Sequence, residues 1–417
     1  MPKVCGNPTF VVDCNGGCRK IARMPRELKH LLLTTTEDPF NIKAWSGIPY
    51  SLRTALERQV GKLSVFLPPP PRRTPLDVVK RVLFGAKKYP LWISKASLKQ
   101  NARLLQAEIA RIQPDAVLCI SSQMAAYLDH PGVPVFLFSD APYLAFCETY
   151  SQWETPPLRI EKFAAEEAQA GRRLDGLCFG SDWACAEAER LYNLPSNKTL
   201  HVTPLGANWV PELMQSQIFE RIDQRIANLT ETGVELLYLG KDWERKGGPL
   251  AVEVATQIRA AGHKVRLHVV GCRPELGDAA GPDGFVTVHG PLYQSDPQQS
   301  EQLAELFLNS HFLIVPTLAE CFGIVFAEAQ AFGLPPVSRA VDAVPSIIRD
   351  GETGMVFDQN ALAIQYSERI LALLADTESY RRMARRARLW FEERLTWDRT
   401  AESILTAIQQ RGKDSSS

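Results

Sequence analysis

The chain has 417 residues, 45% hydrophobic and 23% charged, with 26 Gly and 29 Pro. That is globular usage and excludes a collagen, a coiled coil or a chain disordered throughout. Lys+Arg and Asp+Glu both number 47, and this balance argues against a dedicated nucleic-acid binder, which carries a basic excess.

The balance conceals two unequal halves. Residues 1–208 carry 26 Lys+Arg against 19 Asp+Glu, a net +7; the remainder carries 21 against 28, a net −7. Opposite signs suggest two domains with different partners, the first facing something anionic. The nine Cys are odd in number and scattered, so a disulfide framework is not expected. Cys5, Cys14, Cys18 and His30 fit no zinc spacing, and no metal site is expected. No run of about 18 apolar residues and no leader-like stretch is evident, which predicts a cytoplasmic protein. The sequons at Asn197 and Asn228 then read as chance.

In chain order, residues 1–28 read as an irregular N-terminal extension. Buried strands are predicted at 31–35, 63–67, 116–120, 135–138, 176–179 and 202–204, with helices at about 49–60 and 101–112. Pro68–Pro71 must be extended. The rhythm then repeats, with strands at 236–239, 265–270, 286–288, 312–315 and 336–338. Helices lie near 247–261, 300–309, 324–332 and 343–349, and longer ones at 381–394 and 397–410. Apolar strands alternating with helices imply an α/β chain of two parallel sheets, each a Rossmann-like unit. The expected division is a first domain at 29–208, a linker at 209–231 and a second domain at 232–390. A C-terminal helix and tail at 391–417 should pack back toward the first domain.

Ligands of such sheets bind beyond the carboxyl ends of the strands. No Gly-x-Gly-x-x-Gly or Gly-x-x-x-x-Gly-Lys-Ser/Thr loop occurs, which disfavours dehydrogenase and ATPase readings. The loop after 312–315 carries Glu320 and Gly323 and runs into a helix ending at Gly333. The amides of Ile324 and Val325 can hold a phosphate oxygen at the positive helix end, and Gly323 permits close approach. Glu328, one turn further on, can accept two ribose hydroxyls. A capped helix with a solvated Glu pair is the plain alternative. The turn after 236–239 places Gly240, Lys241, Arg245 and Lys246 at the same edge, where cations can neutralise a diphosphate; a solvated basic turn is its alternative.

Glu320-Cys321-Phe322-Gly323-Ile324-Val325-Phe-Ala-Glu328 resembles the E-x7-E motif of retaining GT-B glycosyltransferases of glycosyltransferase family four. The Gly240-Lys-Asp-Trp-Glu-Arg-Lys-Gly-Gly248 turn is similar to that family's Gly-Arg…Lys-Gly loop, with Lys241 where Arg is usual. The likeness extends through Pro204–Asn208, His289-Gly290 and Val344-Pro345, with Asp342-Ala343 replacing the usual Gly-Gly. Trp45-Ser-Gly47-Ile-Pro-Tyr50 resembles its N-terminal glycine loop. Asp140 stands where members carry His or Asp and could orient the acceptor hydroxyl, act as a base, or cap a helix.

The resemblance implies a GT-B fold, two Rossmann-like domains across a cleft, and transfer of a hexose from a UDP- or GDP-sugar with retention. Glu320, Lys246 and Asp140 are its catalytic candidates. The donor would meet Gly47, Gly240, Lys241, Arg245, Gly290, Leu292, Cys321, Phe322, Gly323, Ile324, Val325 and Glu328. No cofactor and no divalent metal are expected. The acceptor implied is a growing glycan or lipid-linked oligosaccharide. Residues 72–99, with eight Lys/Arg and one Asp among aromatic side chains, suggest peripheral contact with the inner membrane face; a solvated helix is the alternative. An epimerase or phosphorylase-like enzyme on the same fold, or a non-catalytic nucleotide-sugar-binding partner, stays open.

Overall fold

In the computed structural model, the described residues are 28–414 except 72–74, 121, 130–131, 196–197 and 282–283. Residues 1–27 of the expected extension, with Cys5, Cys14 and Cys18, and Asn197 of the sequon lie outside them. His30 Nε2 is within 2.8 Å of Ser64 Oγ.

The first sheet holds β1 (His30–Thr35), β2 (Lys62–Phe66), β3 (Ala116–Ile120), β4 (Val135–Ser139), β5 (Gly176–Phe179) and β6 (Leu200–Val202). Its order is β2-β1-β3-β4-β5-β6. The second holds β7 (Val234–Leu239), β8 (Val265–Val270), β9 (Val286–Gly290), β10 (Phe312–Ile314), β11 (Pro336–Arg339) and β12 (Met355–Phe357), in the order β12-β11-β10-β7-β8-β9. Every ladder is parallel. The central strands are buried on both faces, which is why β3, β4 and β10 read as unbroken apolar runs rather than alternations. In each sheet the order reverses beside the first strand, β1 or β7, so the carboxyl ends there open a crevice.

Two expectations need correction. The stretch 209–231, expected as a linker, contains the helix Gln215–Thr232. Its buried Ile218, Ile222 and Arg225 recur at helical spacing and turn inward. Arg225 donates to Ser310 O and Gly333 O, both at 2.7 Å, which ties the helix to the second lobe. Ahead of it, Trp209 lies against Phe307 and Phe332, with ring centroids 5.4 and 4.6 Å apart. The strand expected at 202–204 ends at Val202 instead, because Pro204 has no amide to continue the ladder.

The last helix, Trp397–Asp414, lies against the first lobe's helix Ile48–Glu57. Thr400 Oγ1 donates to Pro204 O (2.7 Å). One apolar cluster therefore runs from Leu31 and Phe138 through Trp397 and Leu405 to Leu237 and Phe326. A second fills the outer layer of the first lobe. Among the described residues, no helix is long and apolar enough to cross a membrane.

Candidate active site

Two loops at the carboxyl edge of the second sheet meet at a glycine. Gly247 has φ +74°, and a Cβ there would stand 2.1 Å from Pro316 O. No other residue permits that approach. The contact is stitched by Leu318 N donating to Arg245 O (2.8 Å) and Arg245 Nη1 donating to Ala319 O (2.9 Å). It brings Lys246 Nζ into an ion pair with Glu320 Oε2. Both side chains are largely buried, so the pair is little screened by water.

Gly323 (φ +96°) caps the helix Ile324–Ala331. The first amides of a helix have no partner within it, and those of Ile324 and Val325 are half-buried beside Glu320. On the inner face of this helix Glu328 is 8% exposed. Its carboxylate accepts from the Trp209 backbone amide, yet burial pushes its pKa up to about 8. Such a carboxylate gains from any further hydroxyl donors that reach it.

Arg245 is engaged by Asp242, by Ala319 O and by the Tyr150 ring, 4.9 Å away. Lys241 is exposed on the turn. Gly240, Gly271 and Gly290 end β7, β8 and β9 in backbone contact: Gly271 N donates to Gly290 O (3.0 Å), and a Cβ on Gly271 would meet Gly240 O at 2.7 Å. A Cβ on Gly290 would fall 2.6 Å from the Arg273 guanidinium carbon. Leu292 beside it is half-buried.

Across the cleft, Trp45, Ser46 and Gly47 take left-handed φ values of 40°, 54° and 83° before the helix Ile48–Glu57. Two non-glycine residues in that region store strain, a feature that clusters at ligand sites. Asn208 holds the turn: it donates to Ser46 O and accepts from Ser51 Oγ (3.0 Å) and Trp397 Nε1 (2.9 Å). Asp140, at the end of β4, accepts from the Ala141 amide (2.9 Å). Burial raises its pKa to about 6, and the Glu320 charge pushes in the same direction.

The lobes touch through the Glu320–Gly323 loop. Cys321 N donates to Tyr150 OH (3.1 Å), the Cys321 side chain joins the first lobe's core, and Phe322 faces Gly180. Asp182 N donates to Ser346 Oγ (3.2 Å).

Residues 220–390 match the family profile described as Glycosyl transferases group 1. That match makes this part of the chain, somewhat under half of its length, similar to members of that family. The two facing sheets are the GT-B architecture, shared by sucrose-phosphate synthase from Thermosynechococcus elongatus. That likeness has a TM-score of 0.60 at 17% identity and covers 93% of this chain and 100% of that one. Anabaena Alr3699/HepE in complex with UDP-glucose gives 0.53 at 13% identity, over 94% and 100%. The D-inositol 3-phosphate glycosyltransferase of Segniliparus rotundus is 27% identical over 247 residues, 55% of this chain and 54% of that protein. The chain spans about half or less of the length of the curated relatives it matches.

Three residues of the site, Tyr150 in the first lobe and Arg273 and Asp342 in the second, escaped the sequence reading. Tyr150 and Arg273 carry no local signal. Asp342 was noticed only as a departure from Gly. It keeps a left-handed φ of 44° and accepts from Glu320 N (2.9 Å), so it orients the loop that glycine would leave bare. Among the described residues, no group of three or more His, Cys, Asp or Glu is arranged to hold a metal ion.

Proposed function

We propose that the chain is a retaining glycosyltransferase that moves a hexose from a UDP- or GDP-sugar to an acceptor hydroxyl. The observation that carries this reading is the buried Lys246–Glu320 pair set beside the free amides of Ile324 and Val325, with the buried Glu328 on the flank. The UDP-glucose complex of a protein of the same architecture supports the choice of donor class.

In this mechanism the diphosphate lies over Gly323. The bond between the sugar's anomeric carbon and the β-phosphate oxygen breaks, and negative charge grows on that oxygen. Lys246, Lys241 and the helix amides stabilise it without reorganising. Glu320 positions the donor sugar, Glu328 accepts the ribose hydroxyls, and the Gly290–Leu292 backbone faces the base. The acceptor oxygen bonds to the anomeric carbon on the face the phosphate leaves, and its proton passes to that phosphate. Asp140 orients the acceptor hydroxyl. Positive charge comes from protein groups, so the reading requires no divalent metal or other cofactor. Closure of the lobes excludes water.

We further propose that the acceptor is a glycan or lipid-linked oligosaccharide met at the inner membrane face. The helix Pro75–Phe84 and the basic residues after it would supply that contact.

Thermal-shift titration with UDP, GDP and ADP identifies the nucleotide, and hydrolysis of the matching sugar nucleotides identifies the donor. Lys246→Ala and Glu320→Gln should each lower transfer about 10²- to 10³-fold, the scale of losing one preorganised charge partner, while both melt cooperatively. Full activity in either variant, or no shift with any nucleotide, would defeat the reading.

A further inference from the structure

A cavity of about 360 Å³ opens beside Asp140 in the first lobe. It falls within the range of small-ligand sites, roughly 300–1,000 Å³. Its walls combine the Trp45, Trp92 and Tyr143 rings with the carboxylates of Glu37, Asp140 and Glu167. Among the described residues, no Lys, Arg or His lines it.

The charged groups facing this space are all carboxylates, alongside the Thr36 and Tyr143 hydroxyls and the Gln123 amide, which can each donate or accept. Ser122 Oγ donates to Glu167, and Ser139 Oγ donates to Ala141 O at 3.0 Å, so both hydroxyl protons are already used. Gln123 also lines the cavity. It is 8% exposed, and its buried amide oxygen accepts no hydrogen bond. A buried acceptor left unpaired is costly. Burial pushes Glu167 up to about 7, and further donors would favour its charged form. Phosphate oxygens at neutral pH donate almost nothing and would meet two or three carboxylates of like charge. The basic excess of the first half therefore does not reach this cavity.

We infer that the cavity is the acceptor subsite and takes an uncharged polyhydroxyl ring, stacked on the Trp45 and Trp92 faces with its hydroxyls donating to Gln123, Asp140 and Glu167, and that it rejects phosphorylated sugars. The inference deepens the glycosyltransferase reading and rests on it. It separates this chain from the compound for which its Segniliparus rotundus relative is named.

Tryptophan fluorescence of the full chain tests it directly, because two of the walls are indoles. Methyl α-D-glucopyranoside and myo-inositol should change the emission saturably in the millimolar range. Myo-inositol 3-phosphate should require at least about tenfold more, since a like charge at several ångströms costs on the order of 1–2 kcal/mol. Glu37→Gln, at an exposed position, should narrow that gap, and Gln123→Leu should weaken binding of the neutral sugar at least fivefold. Equal or tighter binding of the phosphate, or no saturable response to either neutral compound, overturns the assignment. A UDP thermal shift run on the same samples keeps the two claims apart. A missing shift in the unaltered chain defeats the transferase reading, while the fluorescence comparison still decides the cavity; a retained shift in the variants excludes misfolding.

Discussion

A carboxylate with its proton held to about pH 8 makes two properties of this molecule depend on pH. Glu328 binds a proton more tightly in the folded chain than in the unfolded one, where its pKa is an ordinary 4.5. Between those values the folded state holds the extra proton, so stability falls as pH rises and levels off beyond about 8. Asp140 and Glu167, raised to about 6 and 7, act with the same sign. Ribose hydroxyls donate better to the ionised form, so nucleotide binding must displace the proton. UDP affinity should therefore rise between pH 7 and 8.5, by up to about tenfold per unit, and Glu328→Gln should flatten the rise. Titration calorimetry at the two pH values in buffers of different ionisation heat measures both the affinity and the released proton. A pH-independent affinity in the unaltered chain would remove Glu328 from the ribose site. That Lys246 and Glu320 lie at one sheet edge was legible because each follows the carboxyl end of a strand; that their strands are neighbours, which brings the two side chains together, was not. Tyr150 and Arg273 were not legible, since their roles depend on which strands are neighbours and how the lobes meet.

The helix Pro75–Phe84 behaves unlike every element around it. It buries none of its residues; Val82 is 79% and Leu83 69% exposed, and Leu76, Val78 and Val79 also face outward. Lys80 lies over the Tyr89 ring at 5.2 Å, while Lys87 and Lys88 beyond the helix are exposed. An apolar face flanked by cations is what an anionic interface selects. The charge excess of 72–99 pointed here from composition. The helix itself did not register in the chain-order reading, because its apolar residues serve no core strand or sheet. Vesicles of phosphatidylglycerol mixed with phosphatidylcholine should sediment the chain, and neutral vesicles should not. Neutralising Lys87, Lys88 and Lys95 together should weaken binding at least tenfold, at about 1 kcal/mol per lysine near the surface. Binding that ignores the substitutions, or fails with both lipids, removes the membrane contact.

At the scale of the whole molecule, the same loop that carries Glu320 also joins the lobes. Cys321 is held by Tyr150, Phe322 faces Gly180, and Asp182 meets Ser346 further along the cleft. The helix Trp397–Asp414 contributes Trp397, Ile404 and Leu405 to one apolar cluster that takes in residues of both lobes. Two Rossmann-like units were readable from strand rhythm alone. Their apposition was not, because it rests on a few polar contacts between residues more than 160 positions apart. For the proposed transfer closure matters chemically, since water would compete with the acceptor for the anomeric carbon. Tyr150→Phe keeps the ring over Arg245 and removes only the hydroxyl that Cys321 N uses. A hydrogen bond of this kind contributes about 0.5–1.5 kcal/mol, so the closed state should lose roughly two- to tenfold in population. The expected result is a similar fall in kcat for transfer and a raised ratio of donor hydrolysis to transfer, with UDP affinity changed less than kcat. Measuring both products from one labelled sugar nucleotide gives the ratio. An unaltered ratio would mean that Tyr150 contributes nothing to sealing the cleft.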